Sequence, residues 1–132
     1  MKVSTPTLFG VTREEAPLSI RVCSMNDLTP GEGLRIPELS PPIAVFLTDE
    51  GTVHAIDDTC THQDASLAAG WVEDCRVECP LHESTFSLTT GEVDQPPAKK
   101  GVRVHQVHLE GDDVMVELSQ QTPNLPPEGS VI

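Results

Sequence analysis

Two short pairs, Cys60-Thr61-His62 and Cys79-Pro80-Leu81-His82, have the residue types and spacing to do chemistry; sixteen residues lie between His62 and Cys79. Each pair brings a thiolate and an imidazole within a few residues, with cysteine leading both times. Four soft-to-borderline donors converging from two loops describe a metal site. Two sulfurs and two ring nitrogens suit either a single Zn²⁺ or a two-iron cluster with its cysteines on one iron and its histidines on the other. A zinc finger usually runs C-x₂₋₄-C and then H-x₃₋₅-H. Here cysteine and histidine alternate and one pair has a single residue between its members, an order that suits two metal atoms side by side.

The pattern C-T-H followed by C-P-x-H resembles the Rieske [2Fe–2S] signature, in which two histidines replace two cysteines on one iron. The likeness extends over roughly Leu18 to Leu118 and includes Gly70-Trp71-Val72, Thr90-Gly91-Glu92-Val93 and Gln95-Pro96-Pro97-Ala98. The resemblance implies one [2Fe–2S] cluster, with Cys60 and Cys79 on the inner iron and His62 and His82 on the outer. It also implies that the proline-containing segment packs over the cluster. The chain is most similar to the small Rieske ferredoxins that feed aromatic-ring-hydroxylating dioxygenases. High-potential members of the family carry two further cysteines that bridge the loops; Ala65 and Leu81 stand at those positions. Of the serine and tyrosine that donate to the high-potential cluster, the serine is matched by Ser84 and the tyrosine is replaced by Phe86. Fewer donors stabilise the reduced cluster less, which places this chain in the low-potential branch. Ser84 either bonds the cluster or turns back on its own backbone.

The elements that must position these loops read as strands. Ile20 and Val22 alternate with polar neighbours. Ile43, Val45 and Leu47 form one set, and Asp49-Glu50-Gly51 turns the chain into Thr52 to Ile56 as a hairpin. Thr85 to Leu88 and Glu92-Val93 flank a turn at Thr90-Gly91. Val102 and Val104 share one phase while Val107 and Leu109 share the other, so a bulge is expected near His105-Gln106. Gly111 leads into Val114, Val116 and Leu118 at a spacing of two. No long amphipathic helix appears. The expected fold is all-β, an antiparallel sandwich or barrel. The resemblance implies a Rieske-like version with a smaller cluster-binding subdomain inserted at about 57–96. Residues 1–17 read as an extension, 18–118 as the Rieske domain and 119–132 as a disordered tail.

One domain is the expectation for 132 residues, of which only 3% are aromatic. A small core gains from a cluster that ties two loops together. No apolar stretch is long enough for a membrane span, and Met1 to Gly10 lacks the pattern of a secretory signal. The expected location is the cytoplasm and the expected state a monomer. Cys23, in the apolar run Ile20 to Met25, and Cys75, between Asp74 and Arg76 in a turn, are expected to be free thiols. His54, His105 and His108 lie in strands, the last two on opposite faces, and carry no expected function. Trp71 is expected to anchor the core or a loop.

The formal net charge is −13, from 21 acidic and 8 basic residues. That balance argues against nucleic acid or an anionic membrane as partner. Between Asp57 and Asp94 stand nine acids (Asp57, Asp58, Asp64, Glu73, Asp74, Glu78, Glu83, Glu92, Asp94) and one base, Arg76. Such a concentration around the loops is suited to steering towards basic patches on protein partners. The implied activity is one-electron transfer from a flavin-dependent, NAD(P)H-oxidising reductase to a terminal oxygenase, with no catalysis on a substrate here. A catalytic oxygenase would need a second domain, for which the stretch after Leu118 is too short. The remaining alternatives are the small subunit of an NAD(P)H nitrite reductase, some of which lack the cluster ligands, and a zinc-stabilised interaction module.

Overall fold

The computed structural model describes residues 18–81 and 84–126. Nine strands run in chain order: β1 (Ser19–Ser24), β2 (Gly33–Ile36), β3 (Ile43–Leu47), β4 (Val53–Asp57), β5 (Trp71–Glu73), β6 (Arg76–Glu78), β7 (Thr85–Ser87), β8 (Val104–Glu110) and β9 (Asp113–Glu117). Six form one sheet in the order β1-β9-β8-β4-β3-β2, and β5-β6-β7 form a second of three. Every pairing between named strands is antiparallel. The smaller sheet lies between β4 and β8 in the chain, so the all-β fold with an inserted subdomain is the observed architecture. Among the described residues no helix is long and apolar enough to cross a membrane.

The five residues of β3 are all buried because they face two cores. Ala44 and Phe46, with Ile56 of β4, face a cluster that includes Leu67, Val77, Phe86, Leu88, Cys60 and Cys79. Ile43, Val45 and Leu47, with Ala55 of β4, face the other core, built with Cys23, Val114 and Val116. Burying each large apolar side chain contributes about 1.5–3 kcal/mol, so β3 and β4 anchor the two Cys-His loops to the body of the domain.

The same division explains the change of phase in β8. Val104 and His105 pair with β4, while Gln106 to Glu110 pair with β9. Val102 and Val104 pack on the core that holds Cys60 and Cys79, and Val107 packs on the other. The phase reverses where the strand changes partner, at the position where the sequence predicts a bulge. The predicted β3–β4 hairpin forms, with Gly51 supplying a φ of +92° in its turn. Strands β2, β5 and β6 are additional to the sequence reading. The last two have three residues each, of which only Val77 is fully buried. Their hairpin turns through Asp74 and Cys75, both at positive φ (54° and 60°), as a two-residue type I′ turn requires. Neither residue is the glycine or asparagine that advertises such a turn.

The expected tail differs from its first residues. Arg103 donates to the carbonyls of Ser119 (3.1 Å) and Gln121 (2.9 Å), and Asn124 donates to the carbonyl of Gly101 (3.0 Å). Residues 119–126 are thus tied to the domain. The proposed extension 1–17 and the end of the tail, 127–132, lie outside the described residues.

Candidate metal centre

The first candidate ligand loop leaves β4 through Asp57 and Asp58, both 1–2% exposed. Asp58 holds the loop shut. Its Oδ1 accepts from Ser66 Oγ (2.8 Å) and the Ala68 N–H (2.9 Å), and its Oδ2 accepts from Arg35 Nε (3.0 Å). Its carbonyl accepts from the Leu67 N–H (2.7 Å) and its own N–H donates to the Pro42 carbonyl (3.0 Å). Within that frame the Cys60 N–H donates to the Ala65 carbonyl (3.0 Å). The loop amides of His62 and Gln63 turn towards Cys60 and donate to its sulfur. The second loop closes with the Cys79 N–H donating to the Ser84 carbonyl (2.8 Å).

These loops bring Cys60 and Cys79 together, 0% and 1% exposed, free of any disulfide and hydrogen-bonded through their side chains. The Cys79 thiol and burial together push the Cys60 thiol far above its usual value. Two facing buried thiols ionise only against a positive charge, and a pair from separate loops is the donor set for one thiophilic metal atom. The residues present fit the cysteine side of a two-iron cluster. His62 is half-buried on the first loop, and His82 lies outside the described residues. Among the described residues no three potential ligands gather around one point.

The segment after β7 joins the two loops. Ala98, buried in the same core as both cysteines, donates its N–H to Ser84 Oγ (2.8 Å). Thr61 donates its hydroxyl to the Lys100 carbonyl (2.6 Å). Pro96 to Lys100 is therefore a strap bonded to one residue of each loop. Ser84 bonds the strap's backbone, a contact neither alternative for it had named. Phe86 is fully buried in that core. Phe86→Tyr is expected to raise the midpoint potential, measured by dye-mediated redox titration, if its hydroxyl reaches a ligand sulfur. An unchanged potential would mean that the hydroxyl finds another partner.

Residues 19–116 match the Rieske [2Fe-2S] domain. The chain belongs to that family. Its cofactor is accordingly one Rieske-type [2Fe–2S] cluster. The chain is 41% identical over 105 residues to the 3-phenylpropionate/cinnamic acid dioxygenase ferredoxin subunit of Shigella boydii, covering 79% of this chain and 97% of that one. Among solved structures it resembles the ferredoxin of Sphingomonas yanoikuyae B1, with a TM-score of 0.71 and 28% identity over 77% of this chain and 100% of that one. It also resembles a chain in the complex of reduced oxygenase and oxidised ferredoxin of carbazole 1,9a-dioxygenase, with a TM-score of 0.69 and 31% identity over 75% and 92% of the two chains.

Other sequence expectations meet the Rieske fold unevenly. Cys23 is a buried core residue and Cys75 a half-buried turn residue, both free. His105 is buried, accepting from the Ser119 N–H at Nδ1 (2.9 Å) and facing Asp57 from Nε2 (3.0 Å), so its role is structural. His108 is exposed beside Glu110 (3.1 Å). Trp71 corrects the expectation made for it: it is 61% exposed, because the inward positions of its sheet are held by Val72, Val77 and Phe86. Three of the nine acids are engaged by arginines. Asp57 is paired internally with Arg103 (2.8 Å) and Asp58 with Arg35, while Asp94 bonds Arg76 (2.8 Å). Exposed Lys99 and Lys100 occupy the strap. The surface near the loops is therefore acidic on the β5–β6 side and basic along the strap.

Proposed function

We propose that this chain is the ferredoxin of a ring-hydroxylating dioxygenase system, with Cys60 and Cys79 binding one iron and His62 and His82 the other. The observation that carries the ligand assignment is the buried, hydrogen-bonded cysteine pair presented by two loops that share one strap. When bound, the cluster supplies a single electron at a time. The protein's own residues do the rest: Asp58 and the strap hold the loops, the His62 and Gln63 amides donate to a ligand sulfur, and the apolar core excludes water from the cysteines. The electron comes from an NAD(P)H-oxidising flavoprotein reductase and goes to a terminal oxygenase, in the cytoplasm, with the carrier acting as a monomer. Ala65, Leu81 and Phe86 place the midpoint near the low end of the Rieske range, on the order of −150 mV.

The test is reduction of the holo protein by NADH and a ring-hydroxylating system's reductase, followed by stopped-flow mixing with that system's terminal oxygenase. Re-oxidation of the carrier at the rate of oxygenase reduction is the expected result, and no transfer would contradict the proposal. Exposed charges are screened over about 10 Å at 0.1 M salt, so the second-order rate should fall as ionic strength rises. Asp64→Asn, exposed in the first ligand loop, should weaken that dependence more than Asp112→Asn in the distant β8–β9 turn. Equal slopes would show that Asp64 does not face the partner.

A further inference from the structure

The outward face of the small sheet carries the single tryptophan of the chain. Cross-strand register sets Trp71 opposite Glu78 and Glu73 opposite Arg76. Val72 and Val77 form the inward pair between them and pack on the core. The indole is 61% exposed, and among the described residues it is not part of either core cluster. Leaving a large apolar ring in water forgoes stabilisation that burial would give. Tryptophan is among the residue types enriched at the energetic centres of protein interfaces. Its surroundings are acidic. Glu73 and Asp74 are exposed and Glu78 is half-exposed, while the cation on the hairpin, Arg76, is engaged by Asp94 (2.8 Å). This face also continues into the metal centre, since β6 runs from Glu78 directly into Cys79.

We propose that Trp71, flanked by Glu73 and Glu78, is a docking anchor for the terminal oxygenase, received by a surface that offers an apolar recess beside arginine or lysine. The inference rests on the carrier reading above. Carboxylates on either side of the indole draw guanidinium or ammonium groups to the rim, and a cation over the ring face adds attraction of its own. A partner seated there lies alongside the second ligand loop. The face thus places an acceptor near the cluster while the charged rim fixes its orientation.

The test uses the holo protein labelled with 5-fluorotryptophan, which gives one ¹⁹F resonance because the chain has one tryptophan. The probes are the terminal oxygenase that accepts its electrons in the stopped-flow assay and, separately, the reductase. The oxygenase should shift or broaden the resonance. Trp71→Ala should lower the second-order rate of oxygenase reduction by about tenfold, the effect of losing an interface anchor, with visible spectrum and midpoint unchanged. Glu73→Gln with Glu78→Gln should lower the rate less and flatten its salt dependence. The proposal is overturned by a resonance indifferent to the oxygenase, by one that responds to the reductase alone, or by a Trp71→Ala rate within twofold of wild type. A wild-type protein that reduces no oxygenase would defeat the carrier reading, a failure distinguishable from these.

Discussion

Replacing Cys60 or Cys79 with serine is expected to abolish the visible spectrum of the cluster, and His62→Ala or His82→Ala to do the same. Cys23→Ser and Cys75→Ser should keep it. The contrast follows from placement. Cys60 and Cys79 face each other in the buried centre between two loops, and a hydroxyl is a harder, weaker donor for iron than a thiolate. Cys23 lies in the other core, where burial pushes its thiol up. Cys75 sits in the β5–β6 turn with its sulfur 3.5 Å from His54 Nε2 and 3.5 Å from Thr89 Oγ1. Absorption spectra and iron content of the six purified variants check the prediction. A cluster retained in any of the four ligand variants, or lost in either control, would redraw the ligand set.

The second large effect is on stability. Asp57 accepts from Arg103 Nε (2.8 Å) and Nη2 (3.1 Å) and from His105 Nε2 (3.0 Å), all three groups being buried or nearly so. Burial pushes the Asp57 carboxyl up, but hydrogen bonds from His105 and Arg103 outweigh it, so its pKa lies below the ordinary value of 3.8. Stability from such a group is fully present above the unfolded-state value and is lost as pH falls through the folded-state one. Asp57→Asn leaves the Arg103 charge without its counter-charge, a change that costs about 3 kcal/mol. Denaturation of the holo variant followed by circular dichroism should show a clearly lower denaturant midpoint at pH 7. The gap from wild type should narrow as the pH drops below 4. Equal midpoints at pH 7 would mean that the carbonyls of Ser119 and Gln121 suffice to hold Arg103.

Much of the fold was legible in the sequence, and the candidate site stood out because cysteine and histidine are few and chemically distinctive. Cys60, His62, Cys79 and His82 mark a candidate site by type and spacing, of which the structure brings Cys60 and Cys79 together, and the alternating β3, β4 and β9 announce the body of the fold. What was hidden is partnership. Asp57 and Asp58 look like surface charge beside a metal site until Arg103, just before β8, and Arg35, in β2, are seen to reach them. Trp71 looks like core until the short hairpin places Val72 inward and the indole out. Strands β5 and β6 were missed because each contributes one or two inward apolar side chains, too few for a period, and because their turn uses Asp74 and Cys75. The phase change in Val102 to Leu109 was readable as an irregularity, whereas its cause, one strand serving two cores, required the sheet.

The central claim is that this chain carries one electron on a cluster held by two loops. Reductive titration of the purified protein, combined with iron and acid-labile sulfide analysis, tests it most directly. The expected result is two irons, two sulfides and one electron taken up per chain, with a paramagnetic signal appearing on reduction. One zinc per chain, no sulfide and no electron uptake would contradict it.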